Sequence, residues 1–142
     1  MYKRILVPLD NSPVDKVILN HVKALARVCS SDLILVHVSD GYVARLQNDL
    51  NLEDSEEIKQ DRSYLESKKN ELSVEGFKVK THLIGGEPAD GILSVAEKEE
   101  CDLIAMSTHG HRFLKDIILG SVAENIRHRT NIPILMIRAK TE

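Results

Sequence analysis

The sequence predicts a doubly wound α/β fold: a three-layer sandwich around a central sheet of five parallel strands. Three observations carry that prediction. Five short runs are continuously apolar and rich in β-branched residues, the pattern of strands covered on both faces. Segments with helical spacing separate them, so strand and helix alternate along the chain. A helix joining two parallel strands crosses over in the right-handed sense, which sorts the helices into two outer layers. The 142 residues suffice to enclose one two-sided core, and no internal repeat or linker divides them, so a single domain over 1–142 is expected.

The first strand is RILVPL, residues 4–9. After it Ser12 is placed to cap a helix, Pro13 suits the first helical position, where its missing N–H is no loss, and Asp15 completes an acidic capping box. That helix puts Val14, Val17, Ile18, His21, Val22 and Leu25 on one face. DLILVHV (32–38) is the second strand. The stretch DGYVARLQNDLNLEDS behind it is longer than a usual strand-to-helix connection and reads as a flap. A second helix, about 54–75, carries Ile58, Leu65 and Leu72 seven apart among charges, the mark of a surface helix that buries a narrow stripe. KVKTHLI (78–84) is the third strand, and Ala89, Ile92, Leu93 and Ala96 share a face of the third helix. DLIAMS (102–107) is the fourth strand, and Val122, Ala123 and Ile126 belong to a fourth helix expected to open at Gly120-Ser121. IPILMIR (132–138) closes the sheet at an edge. His21 and His37 read as core histidines whose ring nitrogens meet backbone partners, and Cys29 and Cys101 as small apolar core residues.

With 19 basic against 22 acidic residues, the formal charge of −3 offers no global field for nucleic acid or an anionic membrane. Neither cysteine belongs to a CxxC pair, so zinc and dithiol redox chemistry lack support. The opening apolar run is too short for a signal peptide, and no run approaches the roughly 18 apolar residues of a membrane span. A reduced, cytoplasmic, soluble protein without membrane insertion is the expectation.

The ends of the strands carry the chemistry. Asp10 lies at the carboxyl end of the first strand, beside the crevice where open α/β sheets bind ligands. No G-x-G-x-x-G follows that strand and no G-x-x-x-x-G-K-[ST] occurs, which argues against a dinucleotide fingerprint and a P-loop. The third strand ends in LIGG, without the acid a phosphoacceptor receiver needs, and aromatics at 4% give a flavin ring little to stack on. What remains is Ser107, Gly110 and, nine residues later, Gly120-Ser121.

On these residues the chain resembles the universal stress protein family, whose nucleotide-binding branch carries G-x-x-G, nine residues, then G-[ST]. ILVPLDNSP, LVHV, GGEPADGI and GSVAENI are similar to the family in the same order, so the resemblance covers essentially the whole chain. It implies the adenine nucleotide alpha hydrolase-like version of the doubly wound fold, with the strand order 3-2-1-4-5, an ATP-binding role in stress response, and a homodimer paired through the last strand, 132–138. It departs from the family at Ser107, where the pattern has glycine; serine is small and offers a hydroxyl instead. Asp10 and the backbone of Pro8 and Val38 are implied to hold the adenosine, with Met106 and Ser107 at the end of the fourth strand. Gly110 permits a positive φ, and Gly120 keeps the helix mouth clear, so that the amides of Ser121 and Val122 face the phosphates.

His109, Arg112 and Lys115 are placed to neutralise phosphate oxygens. His109 and His111 alone fall short of the four ligands of structural zinc, so no metal site of the protein's own is expected. Magnesium enters only as the companion of a triphosphate. No catalytic residue is assigned, since His109, His111 and Asp116 form no recognisable hydrolytic arrangement. Three readings follow: an ATP-binding regulatory module that acts on a protein partner, a slow ATP hydrolase, and an interaction module of the same fold that binds no nucleotide.

Overall fold

The computed structural model describes residues 1–39, 56–108 and 114–138, with the backbone alone for 114–120. The flap expected at 40–55, and His109, Gly110, His111 and Arg112, lie outside the described residues. In chain order the elements are β1 (Arg4–Pro8), α1 (Val14–Cys29), β2 (Asp32–Ser39), α2 (Glu56–Val74), β3 (Val79–Gly85), α3 (Pro88–Lys98), β4 (Leu103–Thr108), α4 (Leu114–Arg127) and β5 (Ile134–Arg138). All strand pairs are parallel and the order is β3-β2-β1-β4-β5, as expected.

Side chains alternate across the sheet, so successive strand residues feed two separate cores. On one face Ile5, Val7, Leu33, Leu35, Leu103 and Ala105 pack beneath Ile18 and Val22 of α1 and Leu65 and Leu72 of α2. On the other, Leu6, Ile34, Val36, Ile104 and Met106 meet Ile92 and Val95 of α3 and Val122 and Ile126 of α4. Ile58, Leu65 and Leu72 are the narrow buried stripe of α2. Gly91 lets α3 approach β3 closely, because a Cβ there would lie 2.6 Å from Ile84 Cδ1.

Four expectations need correction. The buried face of α1 is Val14, Asp15, Ile18, Leu19, Val22 and Ala26, turned about one residue from the predicted face. His21 is therefore exposed rather than a core residue, and Val17 is 38% exposed. Cys101 is buried, but Cys29 is only partly so; both are free thiols. Ser12 does not cap α1 through its side chain, whose hydroxyl has no hydrogen-bond partner. Finally, α4 begins at Leu114, not at Gly120. Leu114, Ile117 and Ile118 continue the apolar spacing of Val122 backwards, and a single glycine inside that pattern costs only about 1 kcal/mol, too little to end the helix.

Candidate functional site

The winding reverses between β1 and β4, since β1 leads to β2 on one side and β3 leads over to β4 on the other. Such a switch point opens a crevice outside the carboxyl ends of the two strands. Pro8, buried, ends β1, and Leu9 keeps one more sheet contact by donating its amide to the Val36 carbonyl at 2.8 Å. From Asp10 the chain leaves the sheet, and Asn11 takes a left-handed conformation (φ 56°), which asparagine tolerates better than most residues.

One carboxylate organises this loop. Asp15, 1% exposed, accepts the amides of Asp10 (2.8 Å), Asn11 (2.8 Å) and Ser12 (3.4 Å), and the hydroxyl of Tyr64 from α2 (2.6 Å). The bond from Ser12 is the acidic half of the predicted capping box; the rest is wider than the sequence indicated. Burial pushes the Asp15 carboxyl above the ordinary aspartate value, against the pull of Tyr64 and the three amides. Burial first, then the charge of Asp15, drives the Tyr64 hydroxyl upward, so that it stays a donor. Beside it, Asn11 donates from Nδ2 to Asp61 Oδ1 at 3.0 Å, and His37 Nε2 faces Asp61 Oδ2 at 3.3 Å. His37 Nδ1 donates to the Leu9 carbonyl at 2.8 Å, the backbone partner expected for that ring.

Across the crevice the carboxyl half of β4 carries Met106, wholly buried, and Ser107, 1% exposed, just before the strand ends at Thr108. Met106 points to the core under α3 and α4, so Ser107, next along the strand, faces the α1 side. Its hydroxyl has no hydrogen-bond partner. Val38, near the end of β2, is partly buried against the α3 face. The fold thus brings Pro8, Asp10, Val38, Met106 and Ser107 to one edge of the sheet.

The amino end of α3 is closed to outside anions, because Glu87 caps it and accepts the amides of Ala89 (3.1 Å) and Asp90 (2.7 Å). Gly120, Ser121 and Val122 lie about two turns inside α4, where each amide has an intrahelical partner to bond. Ser121 is exposed and Val122 buried. The expected helix mouth at Gly120-Ser121 is thus helix interior. Among the described residues no group of three or more His, Cys, Asp or Glu could hold a metal ion.

Sequence reasoning missed Asn11, Asp61 and Tyr64. Asp61 was the findable one, since it lies three residues after Ile58 and four before Leu65, a charge on the stripe that α2 buries.

The family model described as the universal stress protein family matches residues 1–138. The chain belongs to the universal stress protein family. Among curated members, universal stress protein MJ0577 of Methanocaldococcus jannaschii is 36% identical and is aligned over 99% of this chain and 97% of its own length. The solved structure of that protein superimposes with a TM-score of 0.82, covering 100% of this chain and 99% of the other. Two more distant universal stress proteins share the fold. One, from Archaeoglobus fulgidus, was solved in complex with dAMP (TM-score 0.71, 23% identity, 96% of this chain and 98% of the other). The second was solved in complex with cAMP (TM-score 0.74, 16% identity, 98% and 99%).

Proposed function

We propose that this universal stress protein binds an adenine nucleotide, ATP with its accompanying magnesium, in the crevice between β1 and β4, and works as a regulatory module rather than a fast enzyme. In this reading Pro8, Asp10 and Val38 hold the adenosine, with Met106 and Ser107 on the floor. His109, Gly110, Arg112, Gly120, Ser121 and Val122 surround the phosphates. The observation that carries the reading is the Ser107 hydroxyl, 1% exposed and without a partner at the carboxyl end of β4. Leaving such a group unbonded costs about 1–3 kcal/mol, and a ribose or phosphate oxygen is the partner it lacks. The dAMP and cAMP complexes of the two distant members support the adenine nucleotide class. For Ser121 and Val122 to offer their amides, α4 must start at Gly120, so the loaded form has a shorter α4 than the free one. The protein acts in the cytoplasm as a homodimer paired through β5, and a protein partner reads the loaded state.

A thermal melt with and without ATP-Mg tests the reading. Ligand at about a hundredfold excess over Kd adds about 2.7 kcal/mol to the unfolding free energy and raises Tm. A flat melt, together with no nucleotide in the mass spectrum of the purified protein, leaves the interaction module as the function. Product release in a single turnover identifies the slow hydrolase.

A further inference from the structure

The packing face of α2 needs only its apolar stripe, yet it carries two polar side chains aimed at the β1–α1 loop. Asp61, 6% exposed, is a carboxylate where burial without partners is costly, and both its oxygens are engaged, by Asn11 and His37. Tyr64, about one turn further along, donates to Asp15 Oδ2. Asp15 in turn holds the amides of Asp10, Asn11 and Ser12. Three consecutive amides of the loop that enters the crevice therefore hang from one buried carboxylate, and the side-chain donor that completes it comes from α2. Buried polar sets of this kind are often replaceable by apolar residues without loss of stability. What the set supplies beyond packing is position: it fixes the left-handed turn at Asn11 and the direction in which Asp10 leaves the sheet.

We propose that α2 positions the ligand-facing loop. Tyr64 and Asp61 are positioning residues which, through Asp15, Asn11 and His37, hold the backbone of Asp10 to Ser12 and so set the affinity at the adenosine end of the crevice. The affinity part rests on the nucleotide reading above; the positioning part does not. Coupling is reciprocal, so a nucleotide seated against Asp10 steadies α2 in return, and the exposed charged side of α2 becomes the face on which occupancy is felt.

Tyr64→Phe tests this, since the ring stays and only the hydroxyl leaves; Asp61→Asn is the second variant should the first fail to fold. Calorimetric titration well below Tm should show Kd rising about tenfold for adenosine and by the same factor for ATP-Mg, the change expected when about a tenth of the molecules keep the loop in its binding geometry. In the ligand-free protein the amide resonances of Asp10, Asn11 and Ser12 should shift while those of β4 stay in place. Unchanged affinities with unchanged amide resonances overturn the proposal and leave the network as packing. A larger loss for ATP-Mg than for adenosine also overturns it, because the effect would then lie at the phosphates. If the wild-type protein binds neither ligand, the nucleotide reading fails, and the amide shifts of the free variant still decide whether α2 positions the loop.

Discussion

At the scale of single residues, the crevice is marked by hydroxyls the protein does not use for itself. Ser12 and Ser107 follow β1 and end β4, the two strands that flank the switch point, and neither side chain has a partner. Ser107→Ala removes a buried unbonded group and should raise the unfolding free energy in urea by about 1 kcal/mol while weakening ATP-Mg binding. A loss of stability would mean that the hydroxyl is bonded within the protein. Glu99 is a contrasting buried acid, fully partnered: it accepts His82 Nε2 at 2.7 Å and Lys80 Nζ at 3.3 Å. The His82 bond holds its carboxyl below the ordinary glutamate value of 4.5. A carboxyl lowered by folding adds stability that is complete above the ordinary value and is lost as pH falls through the lowered one. Glu99→Gln should therefore be less stable than wild type at neutral pH, with the difference closing as the medium becomes acid. Urea melts from pH 7 to pH 3 check this, and parallel curves would contradict it.

The helices show how far pattern reaches. The strands themselves and the stripe of α2 were legible because they rest on runs of apolar spacing, in which each residue repeats the same message; the order of the strands came from the family resemblance. The face of α1 was misjudged by one position because Val17 and His21 border the stripe, and spacing alone does not say which border is covered; the overlying β-sheet does. The loop network was illegible for a different reason, since Asn11 and Asp15 lie far in sequence from Asp61 and Tyr64 and meet them only once α2 has docked. The start of α4 was misplaced because glycine was read as a boundary, where apolar spacing carried the helix through it. That glycine makes a weak point about two turns in. Gly120→Ala should stabilise the free protein by about 0.5–1 kcal/mol and raise the Kd for ATP-Mg, because the long form of α4 gains and the short form does not. Denaturant titration and calorimetry report the two effects; an unchanged Kd would show that α4 keeps its length on binding.

For the whole molecule, the exposed edge of the sheet at β5 is the feature with the largest consequence for assembly. Ile134 lies partly buried against one core, Leu135 and Ile137 against the other, and Met136 is 37% exposed. A strand edge of this composition pairs or is covered, and a twofold partner covers both copies at once. Light scattering should find a dimer at micromolar concentration, and Met136→Lys should give a monomer with an unchanged circular dichroism spectrum. The sheet's centre has a different history from its rim. Ile5 and Leu6 lie beside Leu103 and Ile104, partners synthesised about two thirds of a chain length later, while their other neighbours, Leu33 and Ile34, arrive early. At about 5–20 residues per second, a ribosome leaves one flank of β1 bare for on the order of several seconds. A nascent chain stalled before Leu103 exposes, on its open side, a strand whose Ile5, Leu6 and Val7 are wholly buried in the finished fold, and in that interval it offers a holding chaperone a grip.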